Sequence, residues 1–386
     1  MSTSDDVHIV GVGIHPFGRH DGVSGLDMGA CAVKRALRDA GVSWASIDVA
    51  VGGSNTAKPD SLVGRLGLTG LAFYSVRNGC ATGGVALATA ANALRVGEGD
   101  LALAVGFDKH ERGAFNSDAA AYGLGAWYPR SGLMVTTQYF AMRTRRYMHD
   151  HVLSEHSLAQ LAALTSRAGA TNPVAWRRRE LTVAEVLDAP MVCDPLTKLM
   201  FCQPGEGAVA VVLARGRRAF DLCEAPVRLA SVAVRTRGVG SFEVYSPSLS
   251  PQRGGNPTVA AAAAAVASAG VGAGDVDIAQ VQDTDSGSAL IALAETGLCR
   301  DGQQDALLSD RSLEADGRLP VNTDGGCLAN GEPIGASGLR QVHEVTRQLQ
   351  RRPLGRAIAA PPRVGFTHVY GAPGISACAV LTAAEV

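Results

Sequence analysis

Residues 36–50, ALRDAGVSWASIDVA, align without a gap on residues 265–279, AVASAGVGAGDVDIA, at a constant offset of 229. Ala36, Ala40, Gly41, Val42, Asp48 and Ala50 meet identical partners in Ala265, Ala269, Gly270, Val271, Asp277 and Ala279. Each copy reads as the end of a helix, a glycine stop, a short loop, an aspartate and the start of a strand. Helix–loop–strand joints in an alanine-rich chain share some of these features by chance. The gapless match favours a duplication, so two similar halves packed together are expected. At 386 residues the chain is long enough to hold both.

The segments around each copy fit that expectation. VHIVGVGIHPFG (7–18) has the pattern of a buried strand ending in a glycine turn, and GLDMGACAVKRALRDAGV (25–42) carries apolar residues at helical spacing. IDVAVGG (47–53) is a second short strand, and CATGGVALATAANALRVGEGDLALAVGFD (80–108) repeats helix then buried strand. Such alternation predicts an α/β fold, a mostly parallel sheet covered by helices on both faces. The 46 glycines suit the many sharp strand-to-helix turns this requires. The pattern breaks over roughly 110–200, where the helical TTQYFAMRTRRYMHDH and SEHSLAQLAALTSRAGA read as an insertion covering a site. The expected division is therefore 1–245, with that insertion, and 246–386.

Charge and cysteine usage exclude several classes. A net charge of −1 offers no field for gathering a phosphate backbone, so nucleic acid is not an expected partner. The opening MSTSDD is polar and acidic, and no apolar run reaches bilayer length, which predicts a cytoplasmic protein without a membrane span. Eight cysteines are scattered without a CxxC pair, so neither a metal ribbon nor a disulfide framework is indicated. Most read as small buried apolar side chains, Cys327 and Cys378 among them.

Cys80 reads differently. It follows the turn RNG and stands just before the helical TGGVALATAANAL, where unpaired backbone N–H groups and the helix dipole favour a thiolate. Gly83 and Gly84 leave room for other backbone to approach.

These residues carry a family resemblance. NGCATGGVAL resembles the nucleophile motif of the thiolase superfamily, in which a cysteine is acylated by an acyl-CoA. Three further stretches resemble its sterol-carrier-protein and lipid-transfer-protein-like branch: RYMHDHVLSEHSLAQLAALTSRAGATNPVA (146–175), CDPLTKLMFCQPGEGAVAVVLA (193–214) and VNTDGGCLANGEPIGASGLRQVHE (321–344). With the N-terminal glycine-rich strand and the C-terminal THVYGAPG they span nearly the whole chain in order. The resemblance implies a duplicated thiolase fold, two βαβαβαββ halves in five αβαβα layers with an inserted loop domain. It implies coenzyme A as substrate carrier, with no bound cofactor and no metal.

The same resemblance implies residue roles and exposes departures. The superfamily's G-H-P histidine, which deprotonates the cysteine, is here replaced by Glu332 in GEP. A carboxylate there raises a thiol's pKa unless it is itself protonated or acts on a substrate hydroxyl or α-carbon; a structural acceptor for the glycine-loop amides is the other reading. Gln282 stands at the oxyanion-hole position, followed by Asp283, while Asp285 replaces a phenylalanine and caps the helix starting at Ser286. HVYGAPG (368–374) resembles the sterol-carrier-type H-N-x-G-x-G-G, which makes His368 the expected general base and Tyr370 a rival acid. Lipid-transfer-type aldolases of the superfamily use tyrosines. Gly371 and Gly374 complete the oxyanion set. Arg177, Arg178 and Arg179, in WRRRE, read either as an exposed face or, with Ser337, as a clamp for coenzyme A.

Three functions follow. The leading one is a thiolase-like acyltransferase with an acyl-Cys80 intermediate. The second is a retro-aldolase for β-hydroxyacyl-CoA, such as a steroid side chain, working with a DUF35/OB-fold zinc-ribbon subunit. The third is a non-catalytic thiolase-fold subunit. A homodimer is what the resemblance implies.

Overall fold

The computed structural model describes residues 6–113, 117–245 and 255–383. Among them one continuous sheet is built from β1 (Val7–Gly18), β2 (Val49–Gly53), β3 (Ala72–Val76), β4 (Leu101–Lys109), β5 (Glu206–Arg215), β6 (Val227–Thr236), β7 (Ile278–Val281), β8 (Val364–Gly371) and β9 (Ile375–Ala383). Their order is β3-β2-β4-β5-β1-β6-β9-β8-β7. The join between β1 and β6 is thin, two antiparallel pairs, His8 with Arg228 and Ile9 with Val227.

Either side of that join the strands follow one plan. β1 is antiparallel to β5, β5 antiparallel to β4, and β4 parallel to β2, with β3 parallel outside. β6 is antiparallel to β9, β9 antiparallel to β8, and β8 parallel to β7. Where a counterpart of β3 belongs, a single parallel bridge joins Ala279 to Val321. The two halves thus share order and strand sense, the duplication expected from the repeat. β6 pairs along its length with β9 of the second half.

Helices make the remaining layers. α1 (Gly25–Ala40) covers β1, β5 and β4, while α5 (Pro257–Ala269) covers β6 and β9 on the far side. α2 (Thr82–Arg95) and α7 (Ser337–Leu349) lie between the two half-sheets, giving αβαβα. Leu87, Leu94, Leu339, Val342 and Val345 form the apolar centre of that middle layer with Val12 and Val211. The insertion between β4 and β5 holds α3 (Thr136–His151) and α4 (Glu155–Thr171), which pack against α6 (Ser286–Glu295) of the second half.

The repeated joint works identically in both copies. Gly41 (φ 66°) and Gly270 (φ 69°) close α1 and α5 in the left-handed conformation that glycine adopts without Cβ strain. Asp48 Oδ2 accepts the Asp100 and Leu101 N–H groups at 2.8 and 2.9 Å, tying the start of β4. Asp277 Oδ2 accepts Arg363 and Val364 N–H at 2.7 and 2.9 Å, tying the start of β8.

Two predictions follow. Asp48→Ala and Asp277→Ala each free two backbone donors, so each lowers unfolding free energy by about 1–3 kcal/mol in chemical denaturation. Gly83→Ala puts a Cβ 2.8 Å from the Leu339 backbone nitrogen of α7, so it destabilises by about 1–3 kcal/mol or more where an exposed mid-helix Gly→Ala would stabilise.

Candidate active site

Cys80 precedes α2 by two residues, in a loop stitched by its own motif. Asn78 N–H donates to Thr82 Oγ1 at 2.8 Å and Thr82 N–H to the Gly79 carbonyl at 3.0 Å. Gly79 (φ 57°) lies against the turn after β8, where an added Cβ would stand 2.9 Å from the Ala372 carbonyl. From the other half, the Gly331–Ile334 loop is pinned to the end of the insertion, Glu332 N–H donating to the Gln203 carbonyl at 2.8 Å. The two loops meet because α2 and α7 touch backbone to backbone. A Cβ on Gly338 would stand 2.7 Å from the Gly84 nitrogen, and one on Gly335 2.7 Å from the Gly53 carbonyl.

A cavity of about 610 Å³ opens at this junction. Cys80, Glu332 and Tyr370 all line it, together with Tyr245, His110 and Thr284. Glu332 is completely buried. It accepts from the Cys202 thiol at 3.2 Å and from Gln282 Nε2, and Cys80 senses it both through charge and as a hydrogen-bond acceptor. Burial first, and the Glu332 carboxylate second, push the Cys80 thiol well above its ordinary pKa. Both act against the thiolate expected at the helix mouth, where the dipole is worth about 0.3–1 kcal/mol in most settings.

Not all of the expected residues stand on the cavity wall. His368 does not line the cavity: it is 3% exposed, on β8. Its Nε2 sits 3.1 Å from Thr258 Oγ1 and 3.3 Å from Ser376 Oγ. Burial, with Arg143 nearby, lowers its pKa to about 3, so it is a neutral, packed imidazole. Gln282 turns its amide N–H toward Glu332, leaving the donor engaged. Asp283 lies behind the site, accepting Cys327 and Leu328 N–H at 2.6 and 3.2 Å in the glycine loop. Gly374 N–H is used within its own turn, donating to the Gly371 carbonyl at 2.9 Å. Gly371 lets the turn approach the Cys80 loop, since a Cβ there would stand 2.7 Å from the Ala81 nitrogen. Ser337 is fully buried and donates to the Pro333 carbonyl at 3.2 Å, out of reach of a carrier.

Nor do the three arginines form one clamp on this cavity. Arg177 donates to the Leu328 carbonyl at 3.3 Å, Arg178 is exposed, and Arg179 pairs with Glu185 at 2.7 Å. Arg177 and Arg179 line a separate cavity of about 220 Å³ beside α4. Asp285 caps α6 as expected, accepting Ser288 N–H at 2.8 Å.

Five residues escaped the sequence reading. His110, just beyond β4, lines the cavity with Nε2 3.4 Å from Asp108 Oδ2 and 3.3 Å from the Ile334 nitrogen. Asp108 is wholly buried and also accepts from Ser54, Asn55, Thr56 and Gly335, joining both halves. The signal was there: the buried strand ALAVGF ends abruptly in DKHER. Cys202 lies within the family-like stretch 193–214 but had no role assigned, while Glu243 and Tyr245 carried no pattern, because each is brought in by tertiary packing. Among the described residues no group of three or more His, Cys, Asp or Glu side chains is placed to hold a metal, and no helix is long and apolar enough to cross a membrane.

Two outcomes test these electrostatics. Glu332→Gln lowers the Cys80 pKa, so alkylation of Cys80 at pH 7, mapped by mass spectrometry against Cys202, speeds up at least several-fold. Burial raises the Asp283 pKa to about 7, above its unfolded value, so its contribution to stability is present at low pH and is lost as pH rises toward 7. Unfolding free energy measured from about pH 4 to pH 7.5 therefore declines less steeply in Asp283→Asn than in the parent chain.

The description "Thiolase, N-terminal domain" matches residues 7–209, and "Thiolase C-terminal domain-like" matches residues 250–383. The chain is 29% identical over 377 residues to the benzoylsuccinyl-CoA thiolase subunit BbsB of Thauera aromatica, covering 96% of each. It is 30% identical over 384 residues to the 17-hydroxy-3-oxo-4-pregnene-20-carboxyl-CoA lyase of Mycobacterium tuberculosis, covering 95% of each. Among solved structures, the Ltp2-ChsH2(DUF35) aldolase superposes with a TM-score of 0.87 at 25% identity over 98% of each chain. With its duplicated halves, its Cys80 loop and its paired glycine loop, the chain belongs to the thiolase family.

Proposed function

We propose that the chain binds a coenzyme A thioester in the Cys80 cavity and breaks, or in reverse forms, the bond between the thioester's α-carbon and a hydroxyl-bearing carbon. The observation that carries this reading is Glu332 beside Cys80. A thiolase-type acyl transfer needs the thiol deprotonated, whereas here burial and a carboxylate both hold the proton on sulfur. Aldol cleavage has no use for a thiolate. It needs a group to take the β-hydroxyl proton and another to protonate the thioester enolate. Tyr370, held by Glu243 at 2.6 Å, fits the first task, and His110, anchored on Asp108, fits the second.

The names of two relatives, a CoA lyase and an aldolase, agree with this choice. Arg77, Lys109 and Arg112 are the basic side chains on the cavity wall, and they suit the phosphates of the carrier better than Arg177 and its neighbours do. The DUF35 component named with the aldolase supports a DUF35/OB-fold partner here. The exposed outer edge of β3 suits a homodimer. A cytoplasmic place of action completes the proposal.

A second reading keeps acyl transfer through Cys80, and two observations favour it: the thiol retains open surface on the cavity, and one relative is named a benzoylsuccinyl-CoA thiolase subunit. The two readings separate cleanly with a β-hydroxyacyl-CoA substrate. Under aldol cleavage, Cys80→Ala keeps turnover within about threefold and no acyl adduct appears on intact mass analysis, while Tyr370→Phe loses about 10²–10⁴-fold in kcat. Loss of activity in Cys80→Ala with an adduct on the parent chain reverses the assignment.

A further inference from the structure

Behind Tyr370 sits a buried carboxylate. Glu243 is 4% exposed and does not line the cavity, whereas Tyr370 does. Its Oε2 accepts the Tyr370 hydroxyl at 2.6 Å, and the Ser241 hydroxyl donates to Oε1. We propose that Glu243 is the terminal proton acceptor of the reaction and that Tyr370 is the relay connecting it to the substrate. The inference rests on the aldol reading above and names a base which that reading leaves open.

The step balances without an outside reagent. As the substrate O–H bond breaks, its proton moves to the Tyr370 oxygen while the Tyr370 proton moves to Glu243 Oε2. The tyrosine is neutral before and after, and Glu243 passes from carboxylate to carboxylic acid. The electron pair of the O–H bond becomes the second C–O bond of the new carbonyl, and the pair of the broken carbon–carbon bond enters the thioester enolate. Protonation of the enolate by His110 completes the products, and solvent resets both groups.

Three features support the relay. Burial pushes the Tyr370 hydroxyl well above its ordinary pKa, so on its own it neither ionises nor serves as a base near neutrality. Burial also raises the Glu243 pKa, and a raised carboxyl is a stronger proton acceptor than a solvated one. The charged and titratable groups around Glu243 come from every side: Arg143 and Tyr139 on α3, Glu295 at the end of α6, Tyr370 on β8, and Arg237 across Gly374. Arg143, ion-paired with Glu295, opposes the upward shift and so favours the charged form at rest. Finally, space for the carboxylate is made by a glycine: a Cβ on Gly374 (φ 110°) would stand 2.7 Å from Glu243 Cγ.

The test uses the full chain, with its partner subunit if activity requires one, and a β-hydroxyacyl-CoA. Glu243→Gln keeps an oxygen for Tyr370 to donate to but cannot take the proton. The expected result is a kcat loss of about 10²–10³-fold with KM within about threefold, disappearance of the acidic limb of the kcat–pH profile, partial recovery in Glu243→Asp, and an unchanged melting temperature. A kcat within a few-fold of the parent, or a loss that leaves the acidic limb in place, overturns the proposal. Should Glu243→Gln fail to fold, the proton inventory of the parent decides: two protons in flight support the relay and a linear, one-proton dependence overturns it. A parent chain that cleaves no β-hydroxyacyl-CoA overturns the aldol reading and the relay with it, whereas cleavage insensitive to Glu243 overturns the relay alone.

Discussion

The site exists because two helices from different halves touch through glycine. Gly83 of α2 faces Gly335 and Leu339, and Gly338 at the head of α7 faces Gly84, at separations that leave no room for a Cβ on Gly83 or Gly338. That contact sets the loops before the two helices against each other, Cys80 before α2 and Glu332 before α7. Asp108 then locks the arrangement. A single buried carboxylate accepts donors from the loop after β2 and from Gly335, so both halves converge on one group. Its own pKa lies below the usual value although burial drives it up, because hydrogen bonds from His110, Ser54 and Gly335 hold the charge.

Within this frame the chemistry is decided by what burial does to each group. The Cys80, Cys202 and Cys327 thiols are all driven up by desolvation first and by Glu332 next. His368 is driven down to about 3 by the same desolvation, and so is neutral at pH 7. What remains on the cavity wall is Tyr370 backed by Glu243 and His110 backed by Asp108, two proton-handling groups each oriented by a carboxylate. On the proposed reading these two groups move protons between oxygen and carbon.

Much of the fold was legible in the sequence. The repeated ALRDAGVSWASIDVA and AVASAGVGAGDVDIA segments mark the duplication because glycine caps and strand-tying aspartates are local devices, set by neighbours in the chain. The strand VRLASVAVRT was less visible, since it joins β9 through a pairing more than a hundred residues away. Cys80, Glu332 and Tyr370 were found from their motif positions. His368 shows the limit of that method: its position matches a catalytic one, but its orientation is settled by Thr258 and Ser376, which no local pattern announces. α7 shows another. SGLRQVHEVTRQL has the spacing of a surface helix, yet Arg340, His343 and Glu344 are buried, Arg340 paired with Asp324 and Glu344 accepting from Thr323.

The account turns on the protonation state of the Cys80 sulfur in the resting protein. Selective ¹³Cβ-cysteine labelling, with Cys80 assigned by its loss in Cys80→Ala, allows that thiol to be titrated directly by NMR. The expected titration shows Cys80 still a thiol at about pH 9, above the ordinary cysteine midpoint of about 8.5. A midpoint at or below about pH 7 would contradict the account, because a thiolate at rest beside Glu332 means that the helix mouth prevails over burial and that the chain is poised for acyl transfer.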